Sequence, residues 1–277
     1  MLRQLSSILI TTFLASDAAF AQFPEPPSRG ASPDKVVRFL MEEPYMWNCG
    51  NAAMQRHREL EPVYNRIASH PAAFQDAIAK AERLPATIDE LIQSVREQNK
   101  RLPPEPMERV PARAGVVARL TRVISLSEHL GRECAGPILK EIFESAVSLH
   151  KDLQPRYKRA VDDWKARGGQ NGVPSPEDRD ELLLLNSISR SLIYVATRAV
   201  HMATQLNSPM LIDPVLEFYE AGRDHGETGW PEYVVKCGGH REDVPRRLQN
   251  VLDSGKVSHL QGHLIFQALR QLDKSRI

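Results

Sequence analysis

From Asp34 onward the apolar residues of this chain recur every three or four positions and almost never alternate. That period commits a chain to helices packed on helices, because only a 3.6-residue turn gathers such positions on one face. In Ala112 to Gly131 the stripe is Val116, Val117, Leu120, Val123, Ile124 and Leu130, and Ile138, Ile142, Ala146, Leu149 and Leu153 continue it in the next segment. Leu182 to Leu206 carries apolar residues on more than one side, which predicts a central helix covered by several neighbours. Tyr233-Val234-Val235 is the one strand-like run, and it is too short to build a sheet. Prolines at Pro71, Pro85, Pro111, Pro137, Pro174 and Pro176 are expected to fall between segments, where they start helices without breaking them. The fold class is therefore all-α.

Ahead of the helical part stands a different kind of segment. Residues 1–21 read as a cleaved signal peptide: Arg3 supplies the positive start, Ile8 to Ala15 a short apolar run, and Ala19-Phe20-Ala21 a small-x-small cleavage pattern. Cleavage is expected between Ala21 and Gln22. No cysteine lies near that cut to take a lipid, and the apolar run is too short for a membrane span. The expected location is periplasmic or extracellular. Residues 22–33, with FPEPPSRGASP from Phe23 to Pro33, form a proline-rich leader that favours extended over packed structure.

Two further breaks divide the rest. LPPEPMERVP at Leu102 to Pro111 cannot be regular helix, because its prolines remove donors and push preceding residues toward extended geometry. It separates an N-terminal helical subdomain, 34–101, from a C-terminal helical domain, 112–277. GGQNGVPSP at Gly168 to Pro176 is a second connection.

The C-terminal part contains an internal echo. Arg122-Val-Ile-Ser-Leu-Ser-Glu-His-Leu130 parallels Arg198-Ala-Val-His-Met-Ala-Thr-Gln-Leu206, and each is followed by a proline and an apolar pair, at Pro137-Ile138-Leu139 and Pro214-Val215-Leu216. Mainly over residues 111–254 the chain thus resembles HEAT and armadillo repeat proteins, which implies an α-solenoid of stacked antiparallel helices. A non-repeating multi-helix bundle with generic amphipathic spacing produces the same echo and stays open beside it.

Charge narrows the partners. The formal net charge is +1, and short basic clusters such as Arg156, Lys158 and Arg159, or Arg241, Arg246 and Arg247, have acidic residues beside them. Solvated helix faces account for them, and no nucleic-acid partner is expected. Cys49, Cys134 and Cys237 are an odd set that permits any one of three disulfides in an oxidising compartment, or burial as small apolar residues.

The chain contains no Gly-rich phosphate loop ending in Lys-Ser/Thr, no G-x-S-x-G elbow, no H-E-x-x-H helix and no C-x-x-C pair. No catalytic residue and no cofactor is assigned on these grounds. Gly222 to His240 concentrates Asp224, His225, Glu227, Trp230, Cys237 and His240 among glycines, and reads either as a site loop or as a loop anchored by Trp230. Cys237-x2-His240 with His259-x3-His263 forms a Cys/His set of the softness Zn²⁺ prefers. The competing reading puts both late histidines on the flank of a helix whose buried stripe is Val257, Leu260, Leu264 and Leu272. Met41 to His57 offers Met and Cys ligands suited to Cu(I), against an ordinary packed core. Adjacent carboxylates at Glu42-Glu43, Asp162-Asp163 and Asp178 to Glu181 lack the defined separation that glycoside hydrolysis needs, and the last set fits a helix start.

The function expected from this pattern is an exported helical scaffold or protein-binding protein that engages another exported protein or peptide. A metal-handling or metal-stabilised helical protein is the alternative. An exported hydrolase with a noncontiguous site stands third.

Overall fold

Two long consecutive helices form the spine on which the other elements are arranged. A computed structural model describes residues 24–43, 51–101, 115–169, 176–222 and 229–274. The helices are α1 (Pro33–Glu42), α2 (Asn51–Ser69), α3 (Pro71–Ala81), α4 (Ile88–Arg101), α5 (Val116–Ser127), α6 (Gly131–Trp164), α7 (Pro176–Gln205), α8 (Ile212–Glu220), α9 (Gly229–Gly238), α10 (Asp243–Asp253) and α11 (His259–Lys274). Short 3₁₀ turns at Glu128–Leu130 and Pro209–Leu211 make two of the corners. Among the described residues there is no strand, and the fold is all-α.

The spine is α6 against α7, by far the most extensive helix pair. Their stripes explain it. Ile138, Ile142, Ala146, Leu149 and Leu153 of α6 are all buried, and α7 buries residues on several sides, among them Leu185, Leu192, Val195 and Val200. α5 and α9 pack on the free sides of α7, while α1 and α3 cover α5, α3 also meets α6, and α2 packs on α3 and on the 3₁₀ turn Glu128–Leu130. At the far end α11 closes over α9 and α10.

Local chemistry sets several boundaries. Ser32 caps α1 by accepting from the Lys35 N–H at 3.4 Å, with Pro33 at the first helical position. Thr87 and Glu90 cap α4 reciprocally: the Glu90 N–H donates to Thr87 Oγ1 and the Thr87 N–H to Glu90 Oε2, both at 3.3 Å. The corner between α7 and α8 turns on Asn207, whose φ of 51° is left-handed. Tyr233 of α9 pins it, donating to the Ser208 carbonyl at 2.8 Å and accepting from the Leu211 N–H at 2.9 Å. Burial pushes the Tyr233 phenol far up from its ordinary pKa, so it serves this corner as a neutral group.

Pro137 departs from its expected place between segments, because α6 begins six residues earlier, at Gly131, and runs through it. The missing N–H costs one bond in the second turn, which the continuous stripe of Ala135, Ile138, Leu139 and Ile142 outweighs. The two copies of the echo both sit at helix–3₁₀–helix corners, but the helices that follow them, α6 and α8, have 34 and 9 residues.

The connection expected at 102–111 lies outside the described residues. On either side of it the buried side chains form one continuous cluster, from Ala31 before α1 to Leu272 in α11. Leu91 and Val95 of α4 line a small apolar crevice with Val117 of α5 and Ile188 and Leu192 of α7. Ion pairs tie α4 to both helices of the spine: Arg156 grips Asp89 with two bonds of 2.5 and 2.8 Å, and Arg96 meets Glu181 at 2.6 Å.

The last helix differs by one register position from its expected face. Its buried stripe is Gln261, Ile265, Ala268, Leu269 and Leu272, so Leu260 is 55% exposed and Leu264 only half-buried. Ile265, Ala268, Leu269 and Leu272 keep the three-four spacing over the whole helix, whereas Leu260 and Leu264 do not extend to Leu272.

Candidate functional site

A buried ion pair links the end of α1 to α2. Glu43, which follows α1, is 1% exposed and Arg56 of α2 is 3% exposed. Arg56 enters the interior because it occupies the position one turn before Leu60 in the stripe Leu60, Val63, Tyr64 and Ile67. Its Nε and Nη2 both donate to Glu43 Oε2, at 3.1 and 2.9 Å, and its Nη1 donates to Glu59 at 3.0 Å. The guanidinium also lies over the Phe39 ring, 5.7 Å from its centroid. Burial works against the Arg56 charge, but the bonds to Glu43 and Glu59 outweigh it and raise the pKa.

One donor direction of this guanidinium points away from the carboxylates. Nη2 donates to the backbone carbonyl of Pro24 at 2.6 Å. Further along α2, Arg66 lies over the Phe74 ring at 5.5 Å and donates to the carbonyls of Ser28, at 3.4 Å, and Ala31. Ten helical residues span about 15 Å, and the four leader residues from Pro24 to Ser28 cover most of that only if nearly extended, at about 3.1 Å each. The leader therefore runs alongside α2 and closes with a turn in which the Ala31 N–H donates to the Ser28 carbonyl at 3.0 Å. It is extended as its prolines require, but it is docked, and Ala31 is buried. Arginine donors satisfy carbonyls that proline neighbours cannot pair within a ladder.

Around the back of Arg56 lies a second layer. Tyr64 stacks on His129 at 4.6 Å and 12°, with His57 tilted at 5.1 Å on the other contact. Arg122 of α5 donates to the Met41 carbonyl at the end of α1. Glu43 Oε1, the Tyr64 hydroxyl and Arg122 Nε are buried with no hydrogen-bond partner among the described residues. Burial, reinforced by Glu43 and opposed by Arg56, raises the Tyr64 pKa. Burial lowers that of Arg122, with Glu43 opposing and Arg119 adding.

Burial likewise lowers the pKa of His129, against the pull of Glu128 and with the help of His57. A base with a depressed folded pKa binds fewer protons folded than unfolded, so its share of stability is complete above the ordinary value of 6.5. That share is lost as pH falls from there through the folded pKa. Thermal unfolding followed from about pH 8 to about pH 5 is expected to show this loss, and His129→Phe, which keeps a stacking ring, to flatten it. An unchanged slope in His129→Phe would assign the dependence to other groups.

The residues singled out by sequence are dispersed. Cys237 is buried in α9 with a free thiol whose pKa burial raises, and Cys134 is a half-buried free thiol in the first turn of α6. Burial thus sets Cys237 apart from a reactive thiol, whose pKa a cationic neighbour lowers. His240 is exposed beyond α9, and His259 and His263 face outward on α11, where the ring Nε2 of His263 and the amide nitrogen of Gln267 lie 2.9 Å apart. Among the described residues no three His, Cys, Asp or Glu side chains gather at metal-binding separation. Trp230 is fully buried against Phe143 and Phe218, and its indole N–H donates to Thr197 at 3.2 Å. Met41 packs inside while Met54 is 53% exposed, so these two methionines of the copper reading do not share a site. Ala21, Gln22, Tyr45, Trp47, Cys49, Asp224, His225 and Glu227 lie outside the described residues.

Three arginines of the basic clusters, Arg156, Arg241 and Arg247, are tied into acidic partners. Arg241 holds Asp213 with two bonds of 2.9 Å and reaches Asp243, and Arg247 holds Glu220 at 2.6 and 2.8 Å. The Arg247 pair joins α8 to α10 and Arg241 ties α8 to the loop that leads into α10, and solvent screening keeps each one's contribution small. Among the described residues no helix is long and apolar enough to cross a membrane.

The arginine row was missed in the sequence because its parts come from separated segments. Arg56 alone left a trace there, a charge one turn ahead of an apolar stripe. Chemically the row is a set of oriented N–H donors aimed at backbone carbonyls. No protein-family model, no curated protein and no solved structure matches the chain.

Proposed function

We propose that this chain is an exported helical binding protein that engages an extended segment of another exported protein or peptide. The observation that carries this reading is the docked leader: Arg56 and Arg66 hold a non-helical stretch of chain along α2 through its carbonyls. A surface that binds one such stretch has the donors, the spacing and the aromatic backing to bind another. The signal-like residues 1–21 supply the export half of the reading. The repeat-like corners at Glu128–Leu130 and Pro209–Leu211 suit a scaffold built from stacked helical hairpins.

Native mass spectrometry of the protein recovered from its own compartment tests both halves. The expected species begins at Gln22 and carries a stoichiometric protein or peptide partner, which Arg66→Ala removes. A chain that retains residues 1–21 overturns the export reading, and one that stays partner-free overturns the binding reading.

A further inference from the structure

Resting on that reading, we propose that the ligand of the α2 row is a proline-rich extended segment supplied in trans, and that the leader is its built-in competitor. The row reads backbone: the acceptors are the carbonyls of Pro24, Ser28 and Ala31, while the side chains of Pro24, Glu25, Pro26, Ser28 and Arg29 are exposed. A segment that adopts the same backbone can therefore take the leader's place without reproducing its side chains. One position is restrictive, since Ala31 is buried and admits only a small residue.

The class of ligand follows from the geometry of the donors. Two guanidinium groups ten residues apart on one helix need acceptors about 15 Å apart on a single strand of chain. A helical ligand cannot supply them, because its carbonyls are already paired internally. A proline-rich segment can: it is preformed in an extended helix with solvated carbonyls and loses little entropy on docking. The receptor side is equally prepared, with Arg56 held by Glu43, Glu59 and Phe39 and Arg66 backed by Phe74.

The leader is joined directly to α1 through the Ser32 cap, so it acts on its own site at an effective concentration in the millimolar range. A free segment of equal intrinsic affinity is held off until the leader loosens. Ser32 and Pro33 stay with α1 when residues 24–31 leave, so exchange does not require α1 to unwind.

Loosening the leader in the full chain, while keeping the row intact, tests this. The substitutions Pro24→Gly, Pro26→Gly and Pro27→Gly widen the undocked ensemble of the leader and weaken its hold. The probe is a fluorescein-labelled peptide of the leader's own sequence, FPEPPSRGASP, followed by anisotropy. The glycine variant is expected to bind it at least about tenfold more tightly than the unsubstituted chain, and adding Arg66→Ala to remove the gain. No binding by a folded glycine variant, or equal binding by both chains, overturns the proposal.

Hydrogen exchange on the unsubstituted chain decides the matter if the glycine variant fails to fold. Millimolar peptide must then speed exchange of the Ala31 amide, and unchanged protection overturns the proposal. A partner detected by native mass spectrometry together with failure of the peptide leaves the binding reading in place and removes this one.

Discussion

Glu43→Ala is expected to destabilise the protein by about 3–5 kcal/mol, a large share of what holds a domain of this kind together. The carboxylate is buried and receives two bonds from Arg56 through a single oxygen. Removing it leaves Arg56 with Glu59, whose side chain is 40% exposed, and the Pro24 carbonyl as its anionic and polar support. Burial already opposes the Arg56 charge, so the loss of Glu43 removes the only buried carboxylate seen to pair with it among the described residues and leaves the charge less well compensated. The double variant Glu43→Leu with Arg56→Met removes both charges and retains volume, and it is expected to cost much less than Glu43→Ala alone. Urea unfolding of the three chains checks this. A double variant as unstable as the single one would mean that the pair contributes net stability and does not merely avoid a penalty.

The same variants separate the fold from the leader. Arg56→Met deletes the Pro24 anchor as well as the ion pair, so the double variant should expose residues 24–28 to protease even where the core melts normally. Arg66→Ala frees the other end and leaves the buried pair untouched. Together they show whether the leader is held by its two ends independently or as one unit.

Helix faces were legible in the sequence wherever the apolar stripe ran unbroken for several turns. Leu120, Val123 and Ile124 in α5 and the whole α6 stripe are buried as their spacing predicts, and α7 is covered on several sides. Periodicity fails where a stripe begins with a polar residue. Arg56 stands one turn ahead of Leu60, and Gln261 one turn ahead of Ile265, and both are buried. In α11 that substitution shifts the inferred face onto Leu260, which points to solvent. Neither amide atom of Gln261 finds a hydrogen-bond partner among the described residues. The candidate site was less legible still, because Pro24, Glu43, Arg56, Tyr64, Arg122 and His129 have no common spacing. What joins them is the packing of α2 on the 3₁₀ turn Glu128–Leu130 and of α1 on α5, a tertiary fact that no local pattern encodes. The Cys/His set shows the converse: its local spacings are plausible, but α9 turns Cys237 inward while α11 turns His259 and His263 outward, as the flank reading of the late histidines has it.

Trp230→Ala is expected to cost about 3–5 kcal/mol, for reasons of volume more than of hydrogen bonding. The indole is fully buried, with Phe143 of α6 and Phe218 of α8 both 5.0 Å from it between centroids and Tyr219 at 6.3 Å. It thus fills the space where the spine, α8 and α9 converge, and these three aromatic neighbours cannot collapse into the gap without moving their own helices. The bond from the indole N–H to Thr197 ties α9 to α7 as well, and its net worth is about 1 kcal/mol. Trp230→Phe separates the two contributions, since it loses the bond and part of the volume but keeps an aromatic edge for Phe218. The expected order of stability is wild type, then Phe, then Ala, with most of the total loss falling between Phe and Ala. Equal losses in Phe and Ala would place the hydrogen bond above the packing. A small loss in both would show that α9 can move relative to α6 and α8, and that the buried aromatic group is a site of adjustment in place of an anchor.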